Sequence, residues 1–298
     1  MDFDVIIVGG SYAGLSASLS LGRALRKVLI IDNNKPCNAQ TPHSHNFLTH
    51  DGEKPSDISA QARAEILKYP TVQFFTGKAI SAKQISGGFN VTLKSGEVFT
   101  TRKILLSTGL KDVMPDIKGF DACWAISIIH CPYCHGYEVK NEKIGLLMNG
   151  DHAFEMASNL YNWNKDLTIL TNGKPQFTDV QLDKLKSKSI SVVENEIVEM
   201  EHENGHLKNV VSQGGKRLKL KAIYARPEIQ QHSNLYQNLG CELTDLKTIK
   251  INDFGKTTIE GVYAAGDCAS LFRSLSIVVA SGTIAGVALN REMIAEEF

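Results

Sequence analysis

Apolar positions along this chain fall in short unbroken runs, and most runs feed a turn followed by helical spacing. The first, Val5-Ile6-Ile7-Val8, has no polar position inside it, which predicts a strand covered on both faces, as in a parallel sheet. It enters Gly9-Gly10-Ser11-Tyr12-Ala13-Gly14, after which residues 15–25 carry small and apolar side chains at helical spacing. A second run over 28–31 ends in Asp32. The pattern then predicts a helix over 55–69 and strands over 72–75, 89–93 and 98–101, the last two joined by the turn Ser95-Gly96-Glu97. A buried strand from 103 ends in Thr108-Gly109, and the stretch from Pro115 to Gly119 reads as a linker. From 143 the opening pattern recurs as a strand over 143–148, the turn Asn149-Gly150-Asp151-His152-Ala153, a helix over 154–163 and a strand over 167–170. A last strand turns at Gly266-Asp267. A helix from Ser276 then carries Ala280, Ser281, Gly282, Ala285 and Gly286 almost to Phe298. So many small residues call for close approach of another backbone or a cofactor, with tight helix packing as the plainer alternative.

This repetition predicts an α/β chain of two Rossmann-like, three-layer nucleotide-binding domains, the second inserted into the first. The expected split domain covers 1–116 and 245–298, and the insert covers 117–244. At 298 residues there is room for two cores. Lys+Arg and Asp+Glu cancel at 32 each, which argues against a nucleic-acid partner and against an acidic tail. The apolar stretches are broken before membrane-spanning length, and the N-terminus shows neither a charged flank nor a cleavage-like site. The expectation is a cytoplasmic chain with no membrane contact. Six scattered cysteines do not make a secreted disulfide framework.

The first turn stands in the context that dinucleotide binding requires: strand, glycine-rich turn, helix, second strand, terminal acid. Its N–H groups suit a pyrophosphate, and Asp32 suits a ribose hydroxyl. Ser11 replaces the middle glycine. A nucleophile-elbow reading of Gly9-x-Ser11 meets Ala13 where a second glycine belongs. The polar segment 32–54, with Cys37, His43, His45 and His50, reads as a loop that wraps a cofactor or as a solvated connection. The second turn is poorer: Met148 takes its first glycine position, and Thr171-Asn172-Gly173-Lys174 ends its second strand without a ribose acid or an arginine pair. Between the two turns lies Cys131-Pro132-Tyr133-Cys134-His135-Gly136-Tyr137-Glu138. Two thiols at that spacing can close a disulfide across one turn and so hold or release two electrons. The zinc alternative lacks a second Cys-x-x-Cys, leaving only His135, His130 and Cys123 to complete a mixed site.

Gly9 to Gly14, Thr108-Gly109, Cys131-x-x-Cys134 and Ala264-Ala265-Gly266-Asp267, in that order, resemble the low-molecular-weight thioredoxin reductases of the class II pyridine nucleotide-disulfide oxidoreductases. The resemblance covers nearly the whole chain and implies a homodimer with FAD in the split domain and NADPH in the insert. Electrons would pass from NADPH through the flavin to the cysteine pair and out to a thioredoxin-like protein. It implies FAD contacts from Gly9, Ser11, Tyr12, Ala13, Gly14, Asp32, Asn38, Gln40, His45, Asn46, Ala79, Thr108, Gly109, Asp267 and Ser276. Cys134 would lie against the flavin and Cys131 would face the substrate.

Three departures change what is implied. His135 stands where the family has an Asp, the second turn and its basic run are replaced, and Leu275-Ser276 stands where the family has Arg-Gln. The Cys-Pro-Tyr-Cys-His-Gly-Tyr-Glu stretch is similar to the branch with the fungal dithiol oxidases of gliotoxin-type pathways. Those oxidise a small dithiol and return the electrons to dioxygen. An imidazole, with a reference pKa of about 6.5, takes a thiol proton near neutral pH, whereas an ordinary Asp at about 3.9 is already ionised. The implied catalytic set is therefore Cys131, Cys134 and His135, oxidising a dithiol with oxygen or another non-nicotinamide acceptor. Against this stand an NADPH-dependent thioredoxin or disulfide reductase using His152 and Lys174, a ferredoxin-dependent reductase, and a flavin redox sensor without turnover.

Overall fold

The opening run forms β1 (Phe3–Val8), and its side chains alternate between two cores, Ile6 and Val8 in one and Val5 and Ile7 in the other. A strand buried on both faces has no polar side to show, which explains the unbroken run. The computed structural model describes all residues, Met1–Phe298. After β1 come α1 (Tyr12–Arg23), β2 (Val28–Asp32), α2 (Pro55–Ile66), β3 (Val72–Thr76), β4 (Ala79–Ile85), β5 (Gly88–Leu93) and β6 (Val98–Leu106). The chain continues through β7 (Leu110–Val113), α3 (Phe120–Cys123), β8 (Ile128–Ile129), α4 (Pro132–His135), β9 (Ile144–Leu147), α5 (Gly150–Leu160) and β10 (Leu167–Leu170). Then follow α6 (Asp179–Ser187), β11 (Ser191–Val193), β12 (Ile197–Glu203), β13 (His206–Ser212), β14 (Arg217–Lys219) and β15 (Ala222–Ala225). The last elements are β16 (Glu228–Gln231), α7 (Leu235–Leu239), β17 (Val262–Ala264) and α8 (Leu275–Glu297).

Two compact units result, the first from residues 1–39, 46–111 and 229–298, the second from 40–45 and 112–228. The return crossing at 228/229 comes sixteen residues before the expected 244/245. The reason is packing: Leu235, Leu239 and Cys241 lie in the core that holds Ile6 and Val8. The outward crossing falls at 111/112 rather than 116/117, since Ile117 and Met114 pack with the second unit's core. The short segment 40–45, expected in the split domain, groups with the insert.

In the first unit the strand order is β3-β2-β1-β6-β5-β4, with β17 also paired to β6. One nine-residue strand replaces the two expected over 98–109; its first half pairs antiparallel with β5 and its second half parallel with β17. The small residues of α8 serve the plainer of their two readings. A Cβ on Gly282 would overlap the Ala13 carbonyl oxygen, and one on Gly286 would come within 2.7 Å of the Ala17 carbonyl oxygen. Only glycine at those positions lets α8 lie directly on α1. By length and composition α8 alone is apolar enough to cross a membrane, yet its Gly282, Ala285, Gly286, Leu289 and Met293 are buried in this packing. Its far end is fixed by ions. Glu292 accepts from Lys103 Nζ, Lys256 Nζ and the Tyr263 hydroxyl, each at 2.7 Å. Burial opposes ionisation of Glu292, but these three donors outweigh it and hold its pKa at about 2.

In the second unit a five-stranded parallel sheet runs β11-β10-β9-β15-β8, beside a three-stranded antiparallel sheet β12-β13-β14. The parallel strands again divide their side chains, Ile128, Ile223 and Leu170 to one core and Ile129, Tyr224 and Ile169 to the other. The two nucleotide-type folds expected from the repetition are both present. β12 to β14 lie in a stretch where the sequence offered only short, charge-rich runs.

Candidate active site

The first unit's turn is built by two glycines. Gly9 has a φ of 108°, and a Cβ there would overlap the Ser107 carbonyl oxygen; a Cβ on Gly14 would overlap the Gly9 carbonyl oxygen. Ser107 Oγ donates to the Gly9 carbonyl at 2.7 Å, tying the turn to the end of β6. Ser11 has a φ of −90°, which any residue adopts, so the missing middle glycine costs no backbone strain. It precedes α1 without a side-chain cap, and the first intrahelical bond runs from Leu15 N–H to the Ser11 carbonyl. The N–H groups of Tyr12, Ala13 and Gly14 therefore have no partner within the helix. Asp32, at the end of β2, accepts from Gly10 N–H and Asn34 N–H at 2.6 Å each, so the carboxylate is fixed beside the turn with a further lone pair on each oxygen. Free amide donors at a helix start and a fixed acid at the neighbouring strand end fit the pyrophosphate and ribose of a dinucleotide.

Other residues of the expected cofactor set gather in pairs. The Tyr12 hydroxyl donates to the Pro55 carbonyl at 3.0 Å and bonds the Asn38 side chain, while burial pushes its pKa up. Ser276 Oγ donates to the Asn46 carbonyl at 3.3 Å. Ala79 opens β4 with its side chain in the core, leaving only its backbone for a ligand. Asp267 is held by Arg273 Nε at 3.1 Å, a partner that sequence reasoning missed. Cys268 was missed as well. Its buried thiol donates to the Leu106 and Ala265 carbonyls and accepts from the Thr108 and Gly109 amides, so it pins the Thr108-Gly109 turn beside Asp267. Burial raises that thiol to about 11, which makes it a structural residue. Gln40 is exposed.

Within the second unit Cys131 and Cys134 form a disulfide, with their Cα atoms 5.3 Å apart. Cys131 precedes the single turn α4, and Cys134 N–H donates to its Sγ at 3.1 Å. Cys134 sits inside this one turn. His135 follows directly. Its pKa is lowered, first by burial, then by His45, while Glu138 acts in the opposite direction. The His45 ring meets His135 edge-on at 6.3 Å, and His45 Nε2 lies 3.5 Å from Glu138 Oε1. His45, expected to touch a cofactor, is thus a neighbour of the redox pair. Beneath the turn Tyr224 is buried, and its hydroxyl has no hydrogen-bond partner. Burial, then Glu138, raises its pKa. A Cβ on Gly136 would come within 3.3 Å of that hydroxyl, so glycine makes room for it. Tyr133, exposed between the two cysteines, packs edge-on against Trp163 at 5.4 Å. No group of three or more His, Cys, Asp or Glu side chains is placed to hold a metal.

The second unit's phosphate turn is furnished differently. Asn149 Oδ1 accepts from Gly150 N–H and Gln176 N–H at 2.9 Å, and its Nδ2 donates to the Lys174 carbonyl at 2.9 Å. One side chain thereby closes the turn onto the loop after β10. Asp151 stands in the first turn of α5 and accepts from Gln181 Nε2 at 2.8 Å. A carboxylate there occupies the positive end of the helix, where a phosphate would otherwise bind. Asn172 Oδ1 accepts from Ile197 N–H at 2.7 Å, so it too serves the fold. His152 is exposed and lies 3.7 Å from Glu155.

The family described as pyridine nucleotide-disulphide oxidoreductase matches residues 3–285. Thioredoxin reductase aclD of Aspergillus oryzae is 30% identical, the match covering 99% of this chain and 98% of that protein. Thioredoxin reductase sirT of Leptosphaeria maculans is 30% identical over 97% of this chain and 93% of that protein. An oxidoreductase structure from Agrobacterium tumefaciens superposes with a TM-score of 0.92 at 35% identity, covering 99% of each chain.

Proposed function

This chain belongs to the pyridine nucleotide-disulphide oxidoreductase family, and from that premise we propose that it oxidises a small dithiol to a disulfide and passes the electrons to oxygen or another non-nicotinamide acceptor. It is a thioredoxin reductase-like oxidoreductase acting on sulfur, with the FAD of its family. The direction of flow is the proposal. The observation that carries it is the second phosphate turn, where Asn149 binds the following loop and Asp151 puts a negative charge at the start of α5. Both features oppose NADPH binding. Burial lowers the pKa of His135 and so favours its neutral form, the form that can take a proton from a substrate thiol, which supports the same direction.

On this reading the first substrate thiol gives its proton to His135, and its sulfur bonds to Cys131 Sγ. The Cys131–Cys134 bond breaks, and Cys134 leaves as the thiolate. The second substrate thiol attacks its partner sulfur in the mixed disulfide and expels Cys131, which takes that thiol's proton and leaves as the thiol. The substrate has lost two electrons and two protons, and the cysteine pair has gained the electrons. Bound FAD would accept those two electrons from the pair and hand them to the final acceptor. Gly9, Ser11, Tyr12, Ala13, Gly14 and Asp32 would hold its adenosine and pyrophosphate half, and Asp267, steadied by Arg273 and the Cys268 pin, the remainder.

A cytoplasmic setting and a homodimer belong to the same proposal. Exposed Ile277, Ile284, Val287 and Ile294 along α8 support the dimer. The test of function is oxygen uptake with a panel of dithiols and no nicotinamide. Uptake lost in Cys134→Ser supports the reading. Steady NADPH oxidation coupled to thioredoxin at low, saturable concentration would sink it.

A further inference from the structure

Cys131, Cys134 and His135 leave Glu138 and His45 without a role. They come from the two separate segments of the second unit, Glu138 from 112–228, three residues after His135, and His45 from 40–45. They meet each other at 3.5 Å, and the His45 ring of that pair packs edge-on against His135 at 6.3 Å. We propose that Glu138 and His45 are positioning residues for His135, a linked pair beside its ring that lets it receive the proton of the attacking thiol and hold it while the Cys131–Cys134 bond opens. This rests on the reading of His135 as the base of the proposed oxidation.

The two neighbours work in opposite senses. Once His135 carries a proton, the Glu138 carboxylate stabilises the imidazolium. His45 disfavours a second positive charge beside the first, so the proton leaves again when the cycle closes. Around the pair, His43 lies 6.4 Å from His45, ring to ring, and buried Tyr224, from β15, interacts electrostatically with Glu138. Tyr224 is neutral across the working range, because burial and Glu138 both raise its pKa. It adds a fixed dipole and no titration. An ion pair seen alone between His45 and Glu138 would be a surface contact of small worth. Its place against the base of a redox disulfide gives it a function.

The test follows opening of the Cys131–Cys134 bond by dithiothreitol against pH. The reaction is quenched with iodoacetamide, and alkylated Cys131 and Cys134 are counted by mass spectrometry in the full protein. This readout is independent of oxygen and of nicotinamide, so it stands whichever way the electrons run. In the parent, the rate falls on the acid side as His135 protonates. Glu138→Gln is expected to move that fall to lower pH and His45→Gln to higher pH, each by about half a unit or more. Glu138→Gln also lowers the plateau several-fold. A purely structural role would not produce opposite shifts. Unmoved profiles, or two shifts of the same sign, overturn the proposal. His135→Gln is the reference. Loss of the reagent's own thiolate alone gives an unbroken fall with acid, and a base adds a break where it titrates. If His135→Gln keeps that break, the base reading itself fails. If it removes the break while the other two variants do not part, only the role of Glu138 and His45 fails. A variant that no longer opens with dithiothreitol is challenged with a phosphine, which attacks the disulfide without giving up a proton. Opening by phosphine alone supports the proposal, and failure with both reagents contradicts it.

Discussion

The two strand–turn–helix units of this chain share a backbone plan and differ in what fills the turn. In the first, Gly9 and Gly14 let the turn pack against Ser107 and its own carbonyl, and three amides at the start of α1 stay without helical partners. Asp32 waits beside them, fixed by Gly10 and Asn34. In the second, Asn149 satisfies the turn from within, and Asp151 places a carboxylate at the helix start. The same fold is therefore open to a phosphate in one place and self-contained in the other. Fold alone does not set what such a turn can accept; the few side chains at each turn differ.

The sharpest way to break this contrast is to put a methyl group into both turns. Gly9→Ala meets the Ser107 carbonyl oxygen at a φ of 108°, so the expected product is colourless, destabilised protein that has lost FAD. The cost is about 3 kcal/mol or more, overpacking and left-handed strain together. Gly150→Ala, whose Cβ would find its nearest neighbour at 3.8 Å, loses about 1 kcal/mol through its φ of 69° and stays yellow. Thermal melting and flavin absorbance check both. Equal losses would mean that the two turns are not furnished differently.

A second experiment tries to open the closed turn. Asn149→Gly with Asp151→Ala removes the tie to Lys174 and Gln176 and the charge at the start of α5. NADPH affinity, read by calorimetry, is expected to rise about 3- to 10-fold from a very weak starting value. With glycine at the cap position, the lost cap itself costs roughly a few tenths of a kcal/mol. No gain in affinity would show that these two residues are not what keeps the nucleotide out.

A smaller effect separates the units by pH. Glu292 anchors α8 in the first unit, with its pKa held down from 4.5 to about 2. A carboxyl depressed in the folded state contributes stability that is complete above its unfolded value. That contribution is lost as pH falls from about 4.5 through about 2. Glu292→Gln should therefore lower the melting temperature near neutral pH, by a stability on the order of 1–2 kcal/mol. The deficit should shrink as both proteins are acidified through that window.

Legibility followed the distance between partners along the chain. The first turn, its acid and the Cys-x-x-Cys pair are local patterns, and the structure has the local geometry that each implied. His45 lies ninety residues before His135, so nothing local marked it as a neighbour of the redox turn. Arg273 reaches Asp267 from six residues away across an irregular loop that no spacing rule marks, and Cys268 acts on the Thr108-Gly109 turn from a distant part of the chain. Asn149 and Asp151 were legible only as a missing pattern. Their bonds to Lys174, Gln176 and Gln181 show what stands in its place. The crossing points shifted because Leu235, Leu239 and Cys241 choose a core, which a linker-like composition does not reveal.

The account rests most heavily on which partner reduces the flavin. Purified holoprotein, kept free of oxygen, is titrated in turn with NADPH, NADH and dithiothreitol while the flavin band is followed. The account predicts bleaching by dithiothreitol, dependent on Cys134, recovery of colour on admitting air, and no rapid bleaching by either nicotinamide. Rapid, complete bleaching by NADPH would contradict it.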